Sequence, residues 1–249
     1  MTMQIQLKNL PILDQLAAEL DNYFMQSAKA SEHLAQWLAQ RCNLRDIQQL
    51  LLQLLANPEQ LDQISQRSYQ HGNGFLKVVL LDRGYKLRLH IWFAGQSCEE
   101  NIHDHRWSFA SHILCGTLYS EIWRDARIDV CPAVLADEYQ YHAARGNQAA
   151  FKTYKGVSQL TCETSLAYSA GQSYVMPEQR LHRIINPGQQ LVATIMCTAP
   201  TGQGTTRLIP TQNGIDPNIQ PPRLNVWQLK TQLNQFLGLI GQESSTCAA

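Results

Sequence analysis

His103 and His105, separated by one residue in the segment NIHDHRWSF, are the side chains best placed by type and spacing to do chemistry. At the end of a β-strand, residues two apart leave the same face, so both imidazoles can reach one point. A third imidazole, His182, lies in GQSYVMPEQRLHRIIN, where Gly171 and Pro177 frame a turn that presents it from another strand. Three neutral nitrogen ligands suit a borderline divalent metal such as iron(II), zinc, nickel or copper(II), and they leave positions open for substrate and dioxygen.

Such ligands need a rigid frame, and the chain from His71-Gly72-Asn73-Gly74 onward supplies short strand-like segments. FLKVVLL, the turn Asp82-Arg83-Gly84 and YKLRLHIWF read as a β-hairpin. WSFASHILCGTLYSEIW, QAAFKTYK, SQLTCETSLAYSA, QSYVMP, HRIINP and QLVATIMCTA follow, punctuated by Gly, Pro and Asn. This rhythm indicates a sandwich or barrel. From Ile12 to Tyr69 the apolar residues fall three and four apart, in ILDQLAAELDNYF, SEHLAQWLAQ and IQQLLLQLL, which predicts three or four helices with a break at Asn57-Pro58. After Thr201 come a Gly/Pro/Asn-rich tail and a last amphipathic helix around Arg223 to Ile240. The expected organisation is a helical section over 1–70, a barrel with the metal site over 71–205, and a tail and helix over 206–249.

Composition narrows the partners. At 249 residues the chain can bury one main core with a helical appendage. Twenty Lys plus Arg balance twenty Asp plus Glu without a basic cluster, which argues against nucleic acid or an anionic membrane and for a small-molecule partner. No apolar run of about 18 residues exists to span a bilayer, and the N-terminus lacks a secretory pattern, so a cytoplasmic location is expected. The seven cysteines are scattered with no Cys-x-x-Cys pair, which argues against a disulfide scaffold or a structural zinc site.

The two histidine segments resemble the two motifs of the cupins. His103, His105 and Gly116 fit the first, although Gly95 lies two residues further off than the family spacing; Gly171, Pro177, His182 and Asn186 fit the second, with Gln179 where Gly is usual. The resemblance implies a mainly β fold, the double-stranded β-helix or jelly-roll barrel, carrying the N-terminal helical section and the C-terminal helix. The glutamate of the first motif would fall at Phe109 or Ala110, neither of which can ligate a metal. A three-histidine centre is similar to that of the thiol dioxygenases, and IHDH, HRxxN and the Asn-Pro-Glu break resemble cysteine dioxygenase in particular, from roughly Asp46 to Pro200. The implied cofactor is iron(II), held by His103, His105 and His182. The implied reaction is oxidation of a small thiol or amino-acid-like substrate by dioxygen.

Carried across position by position, the resemblance puts Lys77 where the family has its carboxylate-gripping arginine. Lysine keeps the charge but not the bidentate fork. The family's cysteine–tyrosine crosslink would fall near Ala110 and Cys197, so neither member is present. Arg88, His90 and Trp92 share one face of YKLRLHIWF by period two, either the pocket face or an outer one. Lys77, Trp92, Arg106 and Cys197 are the expected substrate contacts, with Arg106 alternatively a surface residue, and Arg88 and His90 are the expected catalytic assistants. Asp104 is expected to be a structural acceptor, and His71, His112 and His142 structural histidines. Two other functions stay open: a three-histidine cupin oxygenase acting on a non-thiol amino acid or specialised metabolite, and a metal- or ligand-binding cupin without turnover.

Overall fold

A computed structural model describes residues 11–126, 133–142, 150–202, 205–211 and 221–246. Among the described residues, four helices precede the strands: α1 (Ile12–Gln26), α2 (Glu32–Arg41), α3 (Leu44–Leu55) and α4 (Pro58–Ser65). Asn43 caps α3 by accepting from the Asp46 amide at 3.1 Å. Asn57 caps α4 by accepting from the Gln60 amide at 3.1 Å, with Pro58 in its first turn. The Asn-Pro break is therefore a helix start, since proline lacks only an N–H that has no partner there. The C-terminal helix, α5, runs Val226–Thr246, somewhat beyond the expected end at Ile240.

Among the described residues, thirteen strands follow α4: β1 (Tyr69–Gln70), β2 (Leu76–Arg83), β3 (Tyr85–Trp92), β4 (Cys98–Glu99), β5 (Ile102–His103), β6 (Phe109–Cys115), β7 (Thr117–Asp125), β8 (Val134–His142), β9 (Phe151–Ser169), β10 (Ser173–Met176), β11 (His182–Asn186), β12 (Val192–Thr198) and β13 (Thr206–Ile209). They form a six-stranded sheet, β1-β2-β3-β12-β6-β10, and a seven-stranded sheet, β4-β11-β5-β13-β8-β9-β7. Every pairing is antiparallel, and β7 also pairs with β11, returning the second sheet on itself. The architecture is mainly β, a two-sheet barrel with helices at both ends. β1 and β13 carry the sheets from Tyr69 to Ile209, against the span 71–205 expected for the barrel.

Strand alternation sorts the first sheet into two environments. Leu76, Val78, Leu87, Leu89, Ile195 and Cys197 face the helices and join the core built with Leu16, Leu38, Leu50, Leu229 and Phe236. Phe75, Lys77, Arg88, His90, Trp92, Thr194 and Met196 line a cavity between the sheets. The turn from β6 to β7 is made at Gly116, with φ +71°, where an added Cβ would meet the Leu191 carbonyl oxygen at 2.2 Å. Only glycine fits so close an approach, which gives the first motif's terminal glycine a physical reason.

Candidate metal centre

His103 on β5 and His182 on β11 are direct cross-strand partners. Their rings lie 4.7 Å apart between centroids. His105 follows just beyond the strand, with its ring 4.8 Å from His103 and 5.1 Å from His182. One candidate ligand atom from each of the three lies within 4.8 Å of the others. His103 thus lies on a strand and His105 in the loop just after it, while His182 comes from a neighbouring strand, as expected.

Two rings are oriented by the same local device. Nδ1 of His103 lies 2.8 Å from the Asn101 carbonyl, and Nδ1 of His182 lies 2.9 Å from the Arg180 carbonyl. Each Nδ1–H donates to a carbonyl two residues back, so each Nε2 keeps its lone pair for a metal. Trp107 stacks on His105 at 5.0 Å with an interplanar angle of 11°. The Gln179 amide donates to the His105 carbonyl at 2.9 Å. Asp104, between the ligands and buried, accepts from the Arg207 amide at 2.8 Å and donates its own amide to the Arg207 carbonyl at 3.2 Å, so it is the structural acceptor expected.

The donors have the protonation a metal requires. Burial, and then the neighbouring His103, push His182 down to about 3. Burial, with His103 and His182, also drives His105 well below the ordinary histidine range. Both are neutral at pH 7, and neutral imidazoles with fixed tautomers fit a divalent cation such as iron(II).

The cavity holding the triad has a volume of about 120 Å³. Lys77, Arg88, His90 and Trp92 line it, and the period-two face read from β3 is the pocket face. Lys77 Nζ lies 5.3 Å from the Tyr69 ring centroid and 5.4 Å from that of Phe75. Burial lowers the Lys77 ammonium from its ordinary value, while Tyr69 opposes that shift. The Arg88 guanidinium lies 5.7 Å from the Trp107 ring centroid. Arg88 Nε and His90 Nε2 are buried without a hydrogen-bond partner.

Two expected substrate contacts are not in the cavity wall. Cys197 faces the helical core, fully buried, with Ala110 as its direct cross-strand partner on the same side. The neighbours Thr194 and Met196 take the cavity face of β12, so a one-residue offset in carrying over the resemblance inverted the face. Arg106 is not among the lining residues; its guanidinium lies 6.0 Å from the Trp107 ring centroid.

Several lining residues were not anticipated. His71, read as structural, lines the cavity, stacked on Phe75 at 4.5 Å and 14°. Glu100 accepts from Asn73 Nδ2 at 2.9 Å through Oε1 and from the Ile184 amide at 3.3 Å through Oε2. Tyr174 and Ser111 also contribute. Glu100 and Asn73 sit in irregular segments where strand periodicity gives no signal. His112, by contrast, has the structural role expected, with Nδ1 2.8 Å from Ser173 Oγ.

No family model matches the chain, and no curated protein matches it. Among solved structures, a cupin-2 domain protein from Rhodospirillum rubrum is 10% identical with a TM-score of 0.35, covering 58% of this chain and 74% of that one. An uncharacterised double-stranded β-helix protein from Klebsiella pneumoniae is 15% identical with a TM-score of 0.33, covering 61% of this chain and 95% of that one. Oxalate decarboxylase from Bacillus subtilis is 10% identical with a TM-score of 0.33, covering 55% of this chain and 28% of that one. Among the described residues, no helix is long and apolar enough to cross a membrane.

Proposed function

We propose that the protein is a mononuclear non-haem iron(II) oxygenase that uses dioxygen to oxidise a small, carboxylate-bearing thiol or amino-acid-like molecule. One observation carries the reading: three imidazoles converge within 4.8 Å on one side of a cavity that Lys77 and Arg88 also line. His103, His105 and His182 would hold the iron(II), which would supply activation of dioxygen and acidification of a substrate thiol.

The chain's own residues do the rest. His103, His105 and His182 present their Nε2 nitrogens. Lys77 neutralises the substrate carboxylate and thereby orients the molecule. Burial, then Lys77 and Arg88, hold His90 well below its ordinary range, so its ring is neutral and orients bound substrate by a hydrogen bond. Phe75, Trp92 and Phe109 restrict water around the reacting atoms.

A second reading, oxidation of a non-thiol amino acid, is favoured by the cavity face of β12, where Thr194 and Met196 stand and no cysteine or tyrosine is available for a crosslink. Oxygen uptake by the iron-loaded protein separates the two. Uptake with cysteine or another small thiol supports the first reading; uptake only with non-thiol amino acids replaces it with the second. No uptake with either class sinks both.

A further inference from the structure

The cavity is lined by two cations, Lys77 and Arg88, against one carboxylate, Glu100, which forms an ion pair with neither among the described residues. Lys77 on β2 and Arg88 on β3 share one face of the hairpin at diagonal positions, Lys77 opposite His90 and Arg88 opposite Val79. The Lys77 ammonium lies 5.3 Å from the Tyr69 ring centroid, and Arg88 lies over Trp107 with its Nε unpartnered. Among the described residues neither cation forms an ion pair, whereas Arg183 is held by Glu99 and Glu121, and Arg207 by Asp125 and Glu138. Glu100, the lining carboxylate, is engaged by Asn73 and the Ile184 amide. A metal cation at the triad would raise the positive excess further.

Desolvated cations without partners are costly, and such groups mark places where the partner arrives with a ligand. We propose that the substrate is a small dicarboxylic acid, with one carboxylate on Lys77 and the second clasped by Arg88. Lysine acts as a point charge, whereas the planar guanidinium donates two parallel hydrogen bonds to a carboxylate, so the two cations recognise two separate groups. Trp107 flanks that fork, its ring centroid 5.7 Å from the guanidinium. His90, opposite Lys77 on the adjacent strand and two residues from Arg88, offers a buried nitrogen without a partner among the described residues. The size agrees: about 120 Å³ corresponds to roughly ten water-sized groups at about 10–15 Å³ each.

This inference rests on the proposed function for the place where substrate sits, but not on the metal or on turnover, so it is tested on metal-free protein. Binding of succinate against butyrate, and of glutarate against valerate, is followed by titration calorimetry and by the fluorescence of Trp92 and Trp107. The diacid of at least one length-matched pair is expected to bind about tenfold or more tightly than its monoacid. Arg88→Met is expected to bring that diacid to the monoacid level, and Arg88→Lys to recover part of the preference. Equal binding of diacids and monoacids to the wild-type protein, or no binding of either, overturns the proposal without any variant. A preference that survives in a folded Arg88→Met protein overturns it as well. Loss of oxygen uptake with diacid binding intact would refute the proposed reaction while leaving the substrate class in place.

Discussion

The backbone amide of Gln179 donates to the carbonyl of His105 at 2.9 Å, and Gln179 does so from a left-handed conformation with φ 61°. It is the one non-glycine with positive φ among the described residues. The turn after Pro177 thus ties one metal ligand to the segment that delivers another, His182, and it takes this shape although the position carries a side chain where the second motif usually has glycine.

Gln179→Gly is therefore expected to stabilise the protein. A left-handed residue with a Cβ costs about 1–2 kcal/mol, and glycine's greater freedom in the unfolded chain returns about 0.5–1 kcal/mol of that, leaving a gain of roughly 0.5–1 kcal/mol. Metal affinity should be unchanged, because the amide remains. Thermal and denaturant melts check this, and a loss of stability would show that the side chain makes a contact worth more than the strain.

Wild-type protein incubated with iron(II) under anaerobic conditions should carry about one metal per chain and melt at higher temperature than the chelated form, since an ion that binds only the folded state stabilises it. His182→Ala, lacking one of three ligands, should lose nearly all of it. Elemental analysis with a melt of each form decides the matter; a variant that keeps its metal contradicts the assigned centre.

Asp104→Ala removes the acceptor that fixes the backbone between His103 and His105 to β13. Leaving the Arg207 amide unsatisfied costs about 1–3 kcal/mol, and loosening both ligands should reduce metal affinity roughly 10–100-fold. Equilibrium metal titration against a competing chelator reads the second effect separately from the first. Unchanged affinity would make Asp104 a matter of stability alone.

Acid should destabilise the metal-free protein over a window set by its buried histidines. Burial, then the charge of Lys77, pushes His71 down to about 2, and the same two causes hold His90 well below its ordinary range. In the unfolded chain both titrate near about 6.5, so below that pH the unfolded state binds protons that the folded state refuses. Stability is then lost as pH falls from about 6.5 toward about 2, each such histidine adding about 1.4 kcal/mol per pH unit to the slope. His71→Phe should flatten the acid limb by one proton's worth, measured by urea unfolding between about pH 6.5 and 4. A slope parallel to wild type would mean that His71 is not held neutral.

The cluster of three histidines was legible in the sequence because its constraint is local: His-x-His at a strand end, and a Gly-Pro-His-Asn spacing around a turn. The helices were legible from period, and the hairpin from Asp82-Arg83-Gly84. Face assignments succeeded where a strand's own alternation was read, as for Arg88, His90 and Trp92, and failed at Cys197, where an alignment one residue out places a side chain on the opposite side of the sheet. QAAFKTYK and SQLTCETSLAYSA read as two strands because Gly156 interrupts the apolar pattern. Phe151–Ser169 form a single strand, β9, which pairs with β8 along its first half and β7 along its second. Glu100 and His71 were invisible as cavity residues because contacts between distant segments place them there, not any pattern around them.

The direct pairing of His103 with His182 makes the histidine cluster a reporter of strand register. If β11 slips by one residue, His182 turns to the opposite face and the triad cannot close, whereas correct pairing brings the nitrogens together without further adjustment. A cation held by the triad would thus proofread the seam between two strands that lie far apart in the chain: only a correctly assembled barrel would capture it tightly, and capture would make that assembly harder to undo.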